Sequence, residues 1–348
     1  MIRTIRLAII GAGSAAKHHA ISFKAIDGCQ IVAVCDIDKI KVEEFAAEHE
    51  IEVFFTDVAT MLQRGNIDAV SIATSDSCHA EIALQCIKAG KHVFCEKPLA
   101  LNYADAFKML AAARKANIIH MVNFSYRNWS CIQEVATKIR QGDLGEILHV
   151  EATYSQSWLL SNLWGDWKET SRSLWRLSNK HSNGVLGDIG VHLADLCYFI
   201  IGPIDKVYCQ LKTFPKEHEN NLLVFDANDL AVMTIEFKSG ALGLFSVTRW
   251  ASGHSNQIVL KIYGARGAIE INSEKSTDSY RVCVGKNIDK VKWKVVKTSP
   301  TMTTYQKFII GILSNAPQQP DFAQGAEIQK LVDACILSSN NGIPVKIK

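Results

Sequence analysis

A chain of 348 residues has room for two domains and their cores. With 48% hydrophobic and 21% charged residues it has the composition of an ordinary globular protein, and a net charge of +3 without any basic run argues against nucleic acid as a partner. No apolar run approaches the ~20 residues of a membrane span, which argues against a membrane protein.

Residues 7–10 follow Arg3 and Arg6 like a short signal sequence, but glycines break the run too early. Ten cysteines show no C-x-x-C pair and no zinc-site spacing, so reduced core thiols in a cytoplasmic protein are expected.

In chain order, the first element is Ile5–Ile10, short, apolar and β-branched, hence a buried strand. It runs into "GAGSAAKHH". Gly11 allows a tight turn, and Gly13 lets a phosphate approach the backbone. Ser14 and Ala15 open a helix, and Ala16 fills the third small position of G-x-G-x-x-(G/A). The helix start then offers N–H groups and a positive dipole end to a pyrophosphate. A second strand ends at Asp36, 25 residues after Gly11, near the spacing of an acid that holds an adenosine ribose. Asp36 and the adjoining Ile37 are therefore assigned to a dinucleotide.

Alternation continues with a helix at Lys39–Glu48, a strand at 51–55, a helix at Val58–Arg64, a strand at 68–73 and a helix at 80–89. A strand at His92–Cys95, a helix at Tyr103–Lys115 and a strand at 118–122 complete the series. Such β/α alternation predicts a doubly wound parallel sheet, with ligands beyond the carboxyl ends of the strands. Polar strand ends mark the place: Asp36, then Thr74-Ser75-Asp76, then Glu96-Lys97-Pro98.

After about residue 123 the pattern changes. A helix at 132–141 leads to the strand-like "EILHVEATYSQS", a polar Trp-bearing stretch at 158–183 and a helix at 187–201. Alternating strands follow at 230–238, 241–248, 257–263 and 268–271, with a hairpin at Ser239-Gly240. A helix at 324–339 and a strand at 344–347 close the chain. The expected architecture is an N-terminal Rossmann domain (1–123) and a C-terminal α+β domain (124–348) with a large, mainly antiparallel open sheet. Helices cover only one face of that sheet, and "LGLFSV" and "IVLKIY" put apolar side chains on it. A homodimer or homotetramer built through the second domain is expected.

Asp188 and His192 lie four apart on a predicted helix, hence on one face. By residue type alone they could be an acid orienting a proton-accepting histidine, a metal pair extended by Asp195, or a helix-start acid beside a core histidine. His18 and His19 have the same structural alternative and receive no catalytic role. Lys97 could equally be a surface lysine. Five of seven tryptophans (Trp129, Trp158, Trp164, Trp167, Trp175) lie near Arg127, Arg176 and Asn179. Flat rings beside polar groups suit a sugar, and domain packing is their other use.

"CEKPLA" (95–100) and "GVLGDIGVHLADL" (184–196) decide among these, together with "IIGAGSAAKHH", "AVCDID", "VNFSYR", "WR" at 175–176, "YGARGAIEI" and "DFAQGAEIQKLVDA". Through them the whole chain resembles the glucose–fructose oxidoreductase/inositol dehydrogenase/MocA family of NAD(P)-dependent oxidoreductases. It departs from that family at Ser75, where proline is frequent, and at Asn183-Gly184, where a glycine run is shortened. The resemblance implies hydride transfer between nicotinamide and a secondary alcohol of a sugar, sugar derivative or cyclitol. It implies Lys97, Asp188 and His192 as the catalytic set, with no metal. Cofactor contacts are expected from Gly11, Gly13, Ser14, Ala15, Ala16, Asp36, Ile37, Thr74, Ser75, His79, Glu96, Lys97 and Asn123. Substrate contacts are expected from Lys97, Arg127, Trp158, Trp175, Arg176, Asp188 and His192. Since Asp36 would repel a 2′-phosphate, NAD is expected over NADP. Glycoside cleavage through transient NAD reduction, or cofactor binding without turnover, are the rival functions.

Overall fold

The computed structural model describes residues 4–168, 174–216 and 224–347; residues 169–173 of the Trp-bearing stretch lie outside the described residues. The chain divides into two compact units, Met1–Ser125 with Met302–Gln329 and Tyr126–Thr301 with Lys330–Lys348.

In the first unit, strands β1 (Ile5–Ile10), β2 (Cys29–Cys35), β3 (Phe54–Phe55), β4 (Ala69–Ile72), β5 (His92–Cys95) and β6 (His120–Val122) form one parallel sheet. Their order is β3-β2-β1-β4-β5-β6, the doubly wound order of a dinucleotide-binding domain. All of β4 and nearly all of β1 are buried, as expected for strands covered on both faces. Helices α1 (Ser14–Lys24), α2 (Lys39–Glu48), α3 (Val58–Arg64), α4 (His79–Lys88) and α5 (Tyr103–Lys115) alternate with the strands. The predicted strand at 51–55 shrinks to Phe54–Phe55, because Ile51 turns into the core beside Val42 and Phe45 instead of pairing.

The second unit holds helices α6 (Ser130–Arg140), α7 (Val191–Ile201) and α8 (Lys286–Asp289). Its sheet comprises β7 (Ile147–Gln156), β8 (Ile204–Lys212), β9 (Leu230–Phe237), β10 (Leu242–Thr248), β11 (Asn256–Gly264), β12 (Gly267–Asn272), β13 (Ser279–Val284), β14 (Lys294–Lys297) and β15 (Val345–Lys346). They run β14-β13-β12-β11-β7-β10-β9-β8-β15, antiparallel throughout except for the parallel pair β7–β10. Alternation is strict on β10: Gly243, Phe245 and Val247 point to the core, while Leu242 and Leu244 stand exposed on the other face. The predicted helix at 187–201 is in two parts, a wide π-type turn at Leu186–Gly190 followed by α7.

Two further helices are α9 (Thr304–Ser314) and α10 (Phe322–Asn341). Sequence reading places all of 124–348 in the second domain, yet Met302–Gln329 packs with the first unit. The reason is α9: Tyr305, Phe308, Ile309 and Ile312 join Ile5, Leu7, Phe23 and Phe94 in one core cluster. No helix among the described residues is long and apolar enough to cross a membrane.

Candidate functional site

Five expected cofactor positions fall one or two residues past the carboxyl ends of the parallel strands. Gly11 follows β1, Asp36 follows β2, Thr74 follows β4, Glu96 follows β5 and Asn123 follows β6. Gly11 has φ +104°, and a Cβ there would come within 2.5 Å of the Ala73 carbonyl oxygen, so only glycine fits. A Cβ on Gly13 would meet nothing within 4 Å, which leaves space where a phosphate would approach. Gly13 caps α1 without a side-chain bond, so the turn Ser14-Ala15-Ala16 presents backbone N–H groups at a helix start. Asp36 accepts from the Ala12 N–H at 2.8 Å and the Asp38 N–H at 3.0 Å, one on each oxygen. Ile37 beside it is 92% exposed. These residues fit a dinucleotide: a glycine cradle, a helix start and a partly open carboxylate.

Thr74 and Ser75 lead from β4 into a short turn, where the Ser75 hydroxyl lies 3.3 Å from the Cys78 thiol. His79 is fully buried, with Nδ1 2.8 Å from the Pro98 carbonyl and Nε2 3.2 Å from the Thr74 carbonyl. Burial lowers its pKa. It ties the end of β4 to the Glu96-Lys97-Pro98 segment and is a scaffold residue in this structure. Glu96 accepts from His19 Nε2 at 2.8 Å, from Asn123 Nδ2 at 2.5 Å and from the Lys97 N–H at 3.2 Å. Burial alone would raise its pKa; the His19 bond, attraction to His19 and Lys97, and the Asn123 amide outweigh that and hold it at about 2. His19, to which sequence reading gives no role, is the missed residue of this unit.

In the second unit, Asp188 sits between two guanidinium groups, 3.4 Å from Arg176 and 3.8 Å from Arg249. Arg249 is fully buried and bonds Asp229 Oδ1 at 3.0 Å, the Asn228 carbonyl at 2.9 Å and the Arg176 carbonyl at 3.1 Å. Lys216 bonds the other Asp229 oxygen. Arg249, to which sequence reading gives no role, follows β10 and carries no motif. His192 is the second residue of α7 and is buried, with its ring 4.3 Å from that of Tyr126. Tyr126, Tyr154 and Asn256 close a hydrogen-bonded ring: Tyr126 Oη to Tyr154 Oη at 2.6 Å, Tyr154 Oη to Asn256 Oδ1 at 2.6 Å, and Asn256 Nδ2 to Tyr126 Oη at 3.0 Å.

The expected substrate residues divide. Arg176 stacks on Trp175 at 4.4 Å and stays 30% exposed. Trp158 is part of a buried cluster with Leu159, Trp167, Leu174 and Leu177, and Arg249 lies 5.3 Å over its ring. Arg127 is 3% exposed, bidentate to Asp195 at 2.7 and 2.6 Å, and packed 4.5 Å over Phe199. A guanidinium so committed is a scaffold group, and Asp195 is its counter-ion. Among the described residues, no group of three or more His, Cys, Asp or Glu is placed to hold a metal ion.

Residues 5–124 match the model of the oxidoreductase family with an NAD-binding Rossmann fold, and residues 132–270 match the GFO/IDH/MocA C-terminal domain. The chain is 27% identical to levoglucosan dehydrogenase of Pseudarthrobacter phenanthrenivorans, over 97% of each chain. It is also 27% identical to myo-inositol 2-dehydrogenase of Thermotoga maritima, over 78% of this chain and 77% of that one. A solved levoglucosan dehydrogenase in complex with NADH and levoglucosan superposes with a TM-score of 0.91 at 26% identity, covering 99% of this chain and 100% of the other. Rossmann strand order, the strand-end residues and both domain matches agree: this chain belongs to the GFO/IDH/MocA oxidoreductase family and is a nicotinamide-dependent dehydrogenase acting on CH–OH groups.

Proposed function

We propose that this dehydrogenase oxidises a secondary alcohol of a sugar, sugar derivative or cyclitol, using NAD in preference to NADP. The observation that carries the proposal is the Glu96-Lys97 pair at the end of β5, in a sheet whose other ends carry the Gly11–Gly13 turn and Asp36. Relatives named for levoglucosan, myo-inositol and D-glucoside support this substrate class.

Bound nicotinamide would accept the hydride. Lys97 would bind the reacting oxygen and stabilise the developing alkoxide with its ammonium. His192 would take the hydroxyl proton. Asp188, held between Arg176 and Arg249, would orient the histidine and accept a substrate hydroxyl. Trp175, under Arg176, would offer a ring face to the sugar. Thr74, Ser75 and Asn123 would line the nicotinamide end from their strand ends, and Asp36 would take the adenosine ribose.

The ten cysteines are free thiols, most of them buried, which supports a reducing, cytoplasmic setting. The exposed Leu242 and Leu244 support a homodimer or homotetramer through the open face of the second sheet. Light scattering at micromolar concentration tests that, and a monomer refutes it. For the reaction, the test is a screen of levoglucosan, myo-inositol and D-glucosides with NAD and NADP, followed at the reduced-nicotinamide absorbance. Net reduction with one of them is expected. Aglycone release without net reduction would replace oxidation with glycoside cleavage.

A further inference from the structure

His79 and His19 are two buried histidines of the first unit, and they are used differently. His79 meets the backbone carbonyls of Pro98 and Thr74. His19, 1% exposed on the inner face of α1, meets side chains: Ser71 Oγ of β4 at 2.7 Å through Nδ1, and Glu96 Oε1 at 2.8 Å and Asn123 Nδ2 at 3.3 Å through Nε2. Phe23, Phe94 and Tyr305 surround its ring edge-on, so the imidazole has little freedom to turn. The carboxylate it reaches is fixed from a second side. Asn123 donates to Glu96 and to Tyr305 Oη at 3.0 Å, while its own Oδ1 accepts from Thr304 at 3.0 Å. That leaves one orientation for the amide and one for the carboxylate. Helix α1 thus carries two things: the pyrophosphate turn at its start and, five residues into the helix, the group that grips the neighbour of Lys97.

We propose that His19 is a positioning residue of the dehydrogenase, which through Nε2 keeps Glu96 ionised and aimed and so holds the Glu96-Lys97 segment in register with the cofactor turn at the start of α1. The proposal rests on the reading of Glu96 and Lys97 given above. A carboxylate side chain only 14% exposed is driven toward its neutral form unless donors and positive charge outweigh desolvation. The charged and titratable groups facing Glu96 are His19 from α1, Lys97 and Cys95 along its own segment, His79 from α4 and Tyr305 from α9. Removing His19 leaves burial opposed by Lys97 and Asn123 alone. Glu96 then rises from about 2 toward its usual 4.5 or beyond, and its protonation enters the range in which the enzyme can be assayed.

Two conservative variants separate positioning from packing. In His19→Asn the amide can replace Nδ1 and keep Ser71, but it falls short of Glu96. In His19→Gln the amide reaches the place of Nε2. NADH affinity by fluorescence titration, and turnover with NAD on the polyol selected by the screen, are followed from about pH 5 to about pH 8. His19→Asn should lose about tenfold or more in turnover, roughly one pKa unit's worth of misplaced charge. It should also gain an acid limb in NADH affinity that the wild type lacks. His19→Gln should recover both. The limb should vanish in His19→Asn/Glu96→Gln, whose turnover should be no lower than that of Glu96→Gln alone. The proposal is overturned if His19→Asn lowers only the melting temperature, if Asn and Gln behave alike, or if the limb survives in the double variant. Lys97→Ala keeps the two readings apart. Normal turnover in Lys97→Ala with a shifted NADH limb in His19→Asn would remove the role given to Lys97 and leave His19 standing; the opposite pair of results would do the reverse.

Discussion

The proposed preference for NAD rests on the charge of Asp36, and the size of the expected effect can be worked from its surroundings. Each carboxylate oxygen takes one backbone N–H, from Ala12 at 2.8 Å and from Asp38 at 3.0 Å, which leaves a lone pair on each for ribose hydroxyls. The nearby lysines are turned to other acids: Lys39 lies 3.7 Å from Glu43, and Lys41 lies 2.8 Å from Asp38. A 2′-phosphate about 4 Å from Asp36 would meet a repulsion of about 4 kcal/mol at an effective dielectric near 20. That is roughly a thousandfold handicap for NADP. Asp36→Ser removes the repulsion but weakens the bonds to Ala12 and Asp38, at about 1 kcal/mol each. Fluorescence titration with NADH and NADPH, at one ionic strength because salt screens this term, should show three things. The wild type prefers NADH. The variant binds NADH about 10- to 100-fold more weakly. The ratio of the two affinities moves toward NADPH by up to about a thousandfold. Equal affinities in the wild type, or equal losses for both cofactors in the variant, would refute the reasoning.

His192→Ala should cost about 10²- to 10⁴-fold in turnover with NADH affinity nearly unchanged; a folded variant with wild-type turnover removes His192 from proton transfer, and inactivation of the wild type by chelators would instead revive a metal role for Asp188 and His192. Arg249→Met leaves the buried Asp229 with Lys216 and the Phe214 N–H, and Asp188 with Arg176, so urea unfolding should show a loss of about 3–5 kcal/mol; an unchanged midpoint would show that the pair contributes nothing. Glu96 binds its proton more weakly in the folded chain than in the unfolded one, so its contribution of about 3 kcal/mol is full above pH ~4.5 and lost as pH falls toward about 2; Glu96→Gln should lack that acid-dependent loss. His79 and His120 are also lowered by burial, so the unfolded chain takes up their protons first and stability should begin to fall below pH ~6.5. A urea midpoint that is flat between about pH 7 and about pH 5 would contradict this.

The parallel sheet was legible because its strands are buried on both faces. Ile5–Ile10 is apolar at all but one position, and the helices between the strands keep a one-sided apolar pattern. Strand β8 was missed because "IDKVYCQLK" mixes Asp205, Lys206 and Lys212 into a strand whose buried positions are few. β14, "KVVK", is an exposed edge strand with lysines at both ends, a sequence that discourages further pairing. Helix α9 was missed despite its signal: Thr303 and Gln306 form a capping box ahead of an apolar run. Its packing on β1 and α1 was beyond reading, since no local pattern tells a helix at residue 304 that its core lies 300 residues back.

The same division runs through the site. Gly11 and Asp36 stand out in the sequence because a tight turn after a strand and an acid at a strand end limit the residue types that fit the motif. The groups that govern charge obey no such limit. Arg127 and Arg249 are both arginines among aromatics, and the sequence favoured the first for the substrate. The fold buries both, Arg127 against Asp195 and Arg249 against Asp229 with Asp188 beside it, and nothing in either local sequence distinguishes them. Glu96 gathers His19 from 77 residues before it, Asn123 from 27 after it and, through Asn123, Tyr305 from 182 further on. These separations share no period. A motif therefore marks atoms that must touch a ligand. The residues that hold those atoms in the right ionic state are set by which strand ends and helix faces the fold brings within hydrogen-bond reach. For Glu96 those are α1, the segment after β6 and α9, three elements that meet only once the sheet has formed.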